Sequence, residues 1–313
     1  MHARHRSAII LGIVALALFI VRWPIDNSVC DPHQWKWRPS AMEGASFFTS
    51  VFRGGGGTPA IFAMLGGQRY MVANITWEYS DVLFHKGKLY EMVYPLESTV
   101  TLNPSFTEAW STYGWHLAWN IYSDTDDPVE KKKWMDAGRT VYLRAIQANP
   151  VKPAHRFDLA WFYMQREGNY RKALNVLEPV VNSGEFKPLT PQAQADPTNL
   201  DVINERLWDP EKIGHGLGIV YQKLCIFTGD WSYLEKAINV YKECLKIDPN
   251  EKGTDKIIAR LEGDMHDQAW LARQQAMEAQ VRKNFGLPPI KFGQKVEQMF
   301  PDGDAGIVEN NAE

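Results

Sequence analysis

The residues best equipped for chemistry lie in "LCIFTGDWSYLEKAINVYKECLKIDPN", residues 224–250, where eighteen residues separate Cys225 from Cys244 around a Gly-Asp turn and an aromatic cluster. Two thiols in one short stretch could be a redox pair, a disulfide or part of a metal site. A third, Cys30, lies far away near the N-terminus. The eight histidines are scattered, and His85, His116 and His155 fall in helical stretches rather than at metal-ligand spacing. No glycine-rich phosphate loop, Gly-x-Ser-x-Gly elbow or His-Glu-x-x-His helix occurs. No catalytic residue, metal site or cofactor is expected on this reading. The two thiols must then be explained by the elements that carry them.

Followed back to Gly218, the stretch becomes periodic. Tyr221, Leu224, Cys225, Ala237, Tyr241, Cys244 and Pro249 fall at positions 4, 7, 8, 20, 24, 27 and 32 of a unit that starts at Gly218. This pattern resembles the tetratricopeptide repeat (TPR), a pair of antiparallel helices. Positions 8 and 20 must be small so that the two backbones can approach, large residues around them fill the space, and proline ends the second helix. Cysteine suits a small position because it is a compact hydrophobe. Cys225 and Cys244 are therefore expected to be packing residues. They sit on facing helices in different layers, too far apart for a bridge, and Cys30 is the candidate free or intermolecular thiol.

The pattern recurs three times upstream. Gly87, Leu89, Leu96 and Pro104 mark a first unit, and Trp110, Tyr113, Gly114 and Leu117, with Tyr142, Ala145 and Pro150, mark a second. Leu159, Ala160 and Tyr163, followed by Gly168, Tyr170, Ala173 and Leu177, mark a third. Extra residues at 120–133 and 182–213 interrupt the second and third units and read as insertions. After the fourth unit, "DQAWLARQQAMEAQVRKNFGLPP" reads as the capping helix that a solenoid needs at its end. The expected fold is all-α, a TPR-type solenoid of helical hairpins over residues 58–285 with an extended or disordered tail at 286–313. Thr58 and Pro59 supply a helix start.

The first residues carry a different signal. Arg4 and Arg6 precede an uncharged apolar run from Ala8 to Val21, closed by Arg22, Trp23 and Pro24. The run is shorter than the usual spanning length of about 20 residues, so a cleaved secretory signal competes with an uncleaved anchor. No small-x-small cleavage site follows it, which favours a single transmembrane signal-anchor at 7–23. The basic side marks residues 1–6 as cytoplasmic, and everything beyond Trp23 is then expected outside the cytoplasm. Residues 24–57, with the run Gly54–Gly57, read as a linker. The segment "LGGQRYMVANITW" that leads into the first unit resembles membrane-anchored bacterial TPR proteins, a likeness that implies no activity.

Composition removes other classes. The 313-residue chain is 45% apolar, enough for a real core, and its net charge of −3 gives no basic footprint for nucleic acid. Twelve tryptophans must be core pieces or anchors for a partner. In a TPR-like stack the first helices line a concave face, which here would carry Trp77, Phe84, Trp115, Trp119, Phe157 and Trp161, with Asn74, Glu108 and Gln165 as polar contacts. Such a groove would hold a protein or peptide partner. Alternatively, the insertions fold over that face and bury it. Three function classes follow: a membrane-tethered scaffold, a permanent structural subunit of a membrane complex, and an enzyme on a helical scaffold. The scaffold is preferred because it accounts for anchor, linker and missing catalytic motifs together.

Overall fold

The computed structural model describes residues 68–150, 152–182, 210–247 and 252–307. The expected anchor at 7–23, the linker, Thr58–Pro59 and most of the 182–213 segment lie outside the described residues. Among the described residues there is no strand, and no helix is long and apolar enough to cross a membrane.

Among the described residues, eight helices pair into four antiparallel hairpins. They are α1 (Arg69–His85) with α2 (Val93–Leu102), and α3 (Thr107–Trp115) with α4 (Pro128–Ala148). Next come α5 (Pro153–Phe162) with α6 (Tyr170–Asn182), and α7 (Pro210–Thr228) with α8 (Ser232–Ile247). Three of the turns contain a glycine at positive φ, Gly87 (70°), Gly168 (61°) and Gly229 (75°), a conformation that a side chain would strain. The remaining turn is closed by Asp127, whose carboxylate accepts from Val129 N at 2.9 Å while Pro128 opens α4.

The close approach inside each hairpin depends on small residues. In the first, Thr76 and Thr99 meet hydroxyl to hydroxyl at 2.8 Å. In the second, Gly114 lies under the ring of Tyr142, and a Cβ on Gly138 would come within 2.8 Å of the Ala118 Cβ. In the third, Ala160 and Ala173 are fully buried. In the fourth, Gly218 lies under the ring of Tyr241. This last pair corrects the sequence register. The residue opposite Tyr241 is Gly218, the equivalent of Gly114 opposite Tyr142, and the shared signature is Tyr113-Gly114 and Leu117 against Leu217-Gly218 and Tyr221. Cys225 lies two helical turns nearer the hairpin turn, where its carbonyl accepts from Gly229 N at 2.8 Å. Both cysteines are nonetheless buried and form no bridge to each other, as packing residues should.

The stretch at 120–133 is not an excursion. The first helix of the second hairpin runs on from α3 through a π-helical turn, His116–Ile121, to Tyr122–Asp124, and α4 starts at Pro128. The extra residues lengthen both helices of the second hairpin. A second π-helical turn, Tyr163–Glu167, extends α5 in the same way.

Beyond the hairpins come α9 (Thr254–Asp264) and α10 (Gln268–Asn284), the latter capped by Asp267 and lying against α7. Its buried face carries charge as well as Leu271: Glu278 pairs with Lys223, and Arg282 donates to the carbonyls of Pro288 at 2.7 Å and Gly168 at 3.2 Å. Of the two states expected for the tail, residues 286–307 take the extended one, with a single short helix, α11 (Val296–Met299). The chain returns along the third and fourth hairpins because Phe292, Val296 and Phe300 supply apolar anchors. The Phe300 ring packs 5.9 Å from Phe227 and 6.4 Å from Tyr170. Polar ties follow, with Tyr163 donating to the Ala305 carbonyl at 2.6 Å, Asn169 to that of Asp302 at 2.8 Å, and Lys172 pairing with Asp302 at 2.7 Å.

Candidate functional site

The first helices of the second and third hairpins border a cavity of about 380 Å³. Its walls are Ser111, Thr112 and Trp115 from α3, Tyr142 from α4, and Phe157, Asp158 and Trp161 from α5. Residues 111, 112 and 115 share one face of α3 by helical spacing, and 157, 158 and 161 share one face of α5. On the far side of the site, Gly216 allows α7 to pass close to the Phe157 ring, since a Cβ there would lie 2.9 Å from it.

The aromatic side chains are partly open. Trp115 is 43% exposed, and Phe157 stacks with Trp161 at 6.1 Å and 20°. Trp119 lies parallel to Trp115 at 4.5 Å and 7°, meets Phe162 edge-on at 6.1 Å, and carries the Arg166 guanidinium 4.9 Å from its ring centre. That guanidinium also covers Tyr122 at 4.4 Å. Trp119 is thus a packed support behind Trp115.

The structure brings Trp115, Phe157 and Trp161 around one cavity and places the other expected residues elsewhere. Trp77 packs on Phe106 at 5.2 Å and Phe84 on His116 at 4.9 Å, both on α1 and outside the cavity wall. Asn74, Glu108 and Gln165 are exposed, and none lines the cavity. Glu108 is one helical turn from Ser111 and Thr112 on the same face, so it stands at the rim.

Sequence reasoning missed the polar part of the wall. Ser111 donates to Asp158 Oδ2 at 2.5 Å, across forty-seven residues of sequence. Burial pushes the Asp158 carboxyl up to about 6, against the Ser111 hydrogen bond and the Lys212 charge, which both act to lower it. Lys212 Nζ lies 5.9 Å from the centre of the Phe157 ring. Burial likewise raises the Tyr142 hydroxyl, reinforced by the Asp158 charge. The one available hint was an acidic residue embedded in the apolar run "FDLAWF".

A serine bonded to a partly buried carboxylate prompts a test for a nucleophile relay. His155 sits one turn before Asp158, but both its ring nitrogens are buried and bond to nothing, and burial pushes its pKa down to about 4. Ser111 therefore bonds the carboxylate directly, with no histidine between them to take its proton. Among the described residues no group of three or more His, Cys, Asp or Glu could hold a metal ion.

No family model and no curated protein matches the sequence. Among solved structures the chain is similar to MamA from residue 41 to its end from Desulfovibrio magneticus RS-1, at 16% identity and a TM-score of 0.39, over 68% of this chain and 96% of that one. It is also similar to the MamA RS-1 ArsTM double mutant, at 17% identity and a TM-score of 0.39, over 68% and 97% of the two chains.

Proposed function

We propose that this chain is a protein-interaction scaffold whose α3–α5 face holds an extended segment of another envelope protein during assembly of a larger complex. The observation that carries this reading is the cavity beside the half-exposed Trp115, which is walled by aromatic side chains and is not filled by the lengthened second hairpin. Aromatic anchors in partly desolvated pockets dominate peptide and protein recognition. The carboxylates of Asp158 in the wall and Glu108 at the rim complement a segment with basic as well as apolar side chains. Residues 7–23 tether the scaffold to the membrane, and the hairpins lie on the extracytoplasmic side.

A photo-reactive phenylalanine analogue in place of Trp115, activated in native membranes, tests the groove. One discrete cross-linked protein is expected, and Trp161→Ala should weaken its capture by roughly thirtyfold or more with the fold intact. Absence of any adduct, or a collapsed melting temperature with each substitution, refutes it. Protease added to spheroplasts checks the topology: the hairpin region should be degraded while the N-terminus stays with the membrane.

A further inference from the structure

We propose that the cavity between the second and third hairpins is an organic-cation site that takes the ammonium or guanidinium end of a lysine or arginine side chain. This deepens the scaffold reading and rests on it. Four aromatic side chains on three helices, Trp115, Tyr142, Phe157 and Trp161, form most of the wall, and Asp158 is its one carboxylate among the described residues. Aromatic rings with a nearby carboxylate form the usual enclosure for an organic cation, because ring quadrupole and charge act in the same direction.

Charge selects among ligand classes. An anion would meet Asp158 and the negative ring faces. A purely apolar group would exclude water from a carboxylate whose side-chain donor among the described residues is Ser111 alone, leaving it under-solvated. A cation satisfies both. The volume, about 380 Å³, lies at the lower end for ligand pockets and matches one side chain rather than a large cofactor.

The neighbouring wall already holds such a group. Arg166 places its guanidinium over Trp119 at 4.9 Å and Tyr122 at 4.4 Å, immediately behind Trp115. At the opposite rim Lys212 Nζ stands 5.9 Å from the Phe157 ring centre. Lys212 is exposed, so an incoming cation competes with it for Asp158 at small desolvation cost.

The test is saturation-transfer NMR on the full chain in detergent, with N-acetyl-lysine methylamide and N-acetyl-arginine methylamide as probes and N-acetyl-norleucine methylamide as the neutral control. Both cations should bind about tenfold or more tightly than norleucine. Asp158→Asn should abolish that preference, and Lys212→Ala should strengthen cation binding. A melting scan on each variant confirms the fold, and Lys212→Ala keeps the idea testable should Asp158→Asn unfold. Equal binding of norleucine and lysine overturns the inference, as does the absence of binding by any probe. In either case, survival of the Trp115 cross-link leaves the scaffold reading standing. Asp158-dependent binding of phosphocholine vesicles with no peptide-probe binding also overturns it, by assigning the cavity to a lipid headgroup.

Discussion

Gly218→Ala probes the packing of the hairpins most directly. The added Cβ would be driven into the Tyr241 ring, which is 2% exposed and whose hydroxyl accepts from Gln222 at 2.7 Å, so the ring has nowhere to swing. Overpacking of this kind costs about 1–3 kcal/mol, while removing a glycine from a helix interior returns roughly 1 kcal/mol. Gly263 supplies the control. It lies in α9 with nothing within 4 Å of an added Cβ, so Gly263→Ala keeps only the propensity gain. For a domain of this size 1 kcal/mol moves the melting temperature by about 2–4 °C. Gly263→Ala should therefore raise it by about 2–4 °C, and Gly218→Ala should give no gain or lower it by up to about 8 °C, read by far-UV circular dichroism. The double variant Gly218→Ala/Tyr241→Leu should match Tyr241→Leu alone. If Gly218→Ala stabilises as Gly263→Ala does, the register of the fourth hairpin is wrong and Cys225 regains the small position.

Further outcomes test other parts of the structure. Burial, with the Asp230 charge as a smaller cause, pushes the Cys225 thiol up to about 12, so native protein at pH 8 should resist thiol labelling at Cys225 and react fully in denaturant. Cys225→Ala and Cys244→Ala should each cost about 1 kcal/mol in urea unfolding, with no disulfide seen by mass spectrometry under oxidising conditions. Phe300→Ala should cost about 3–5 kcal/mol, because the ring is 5% exposed and packs on Phe227 and Tyr170; a change under 1 kcal/mol would mean that the C-terminal segment is not anchored there. His155 is neutral in the fold down to about 4 but titrates near 6.5 when unfolded, so the unfolded chain binds the extra proton and stability falls as pH drops from 6.5 to 4. His155→Leu should remove roughly 3 kcal/mol of that acid sensitivity and be neutral or stabilising at pH 7; an unchanged acid limb refutes it.

How much of this could be read in the sequence depends on what sets each feature. The hairpins were legible because their determinants are local: Gly87, Gly168 and Gly229 at turns, and small residues at helix spacing. The fourth register was misplaced because two small residues, Gly218 and Cys225, lie two turns apart on the same helix face, and only the crossing point with α8 chooses between them. Residues 120–133 read as an insertion against a fixed repeat length, and the structure builds those extra residues into longer helices, which a repeat count alone does not distinguish from a loop. Three residues of the aromatic wall followed from the repeat, whereas the Ser111–Asp158 bond did not. It joins side chains from different hairpins, and the angle between hairpins is a property of packing that no local pattern records. The tail was underrated because Phe292 and Phe300 are too sparse to announce a helix or strand, yet two rings suffice to hold an extended chain in a groove already formed.

That returning chain changes the connectivity of the whole stack. In an open solenoid each hairpin couples only to its neighbours, so the ends can fray independently and the array melts piecemeal. Here the last described residues bond to Tyr163, Asn169 and Lys172 in the middle of the chain, which turns a linear row into a ring of contacts. Fraying at the C-terminal end must then break the third hairpin's ties as well, so melting from that end becomes a collective event. During synthesis the same link imposes an order: the third hairpin can form early, but it is not fully packed until residues beyond 300 have been made. Packing of α5 and α6 is thus completed by residues far downstream in sequence.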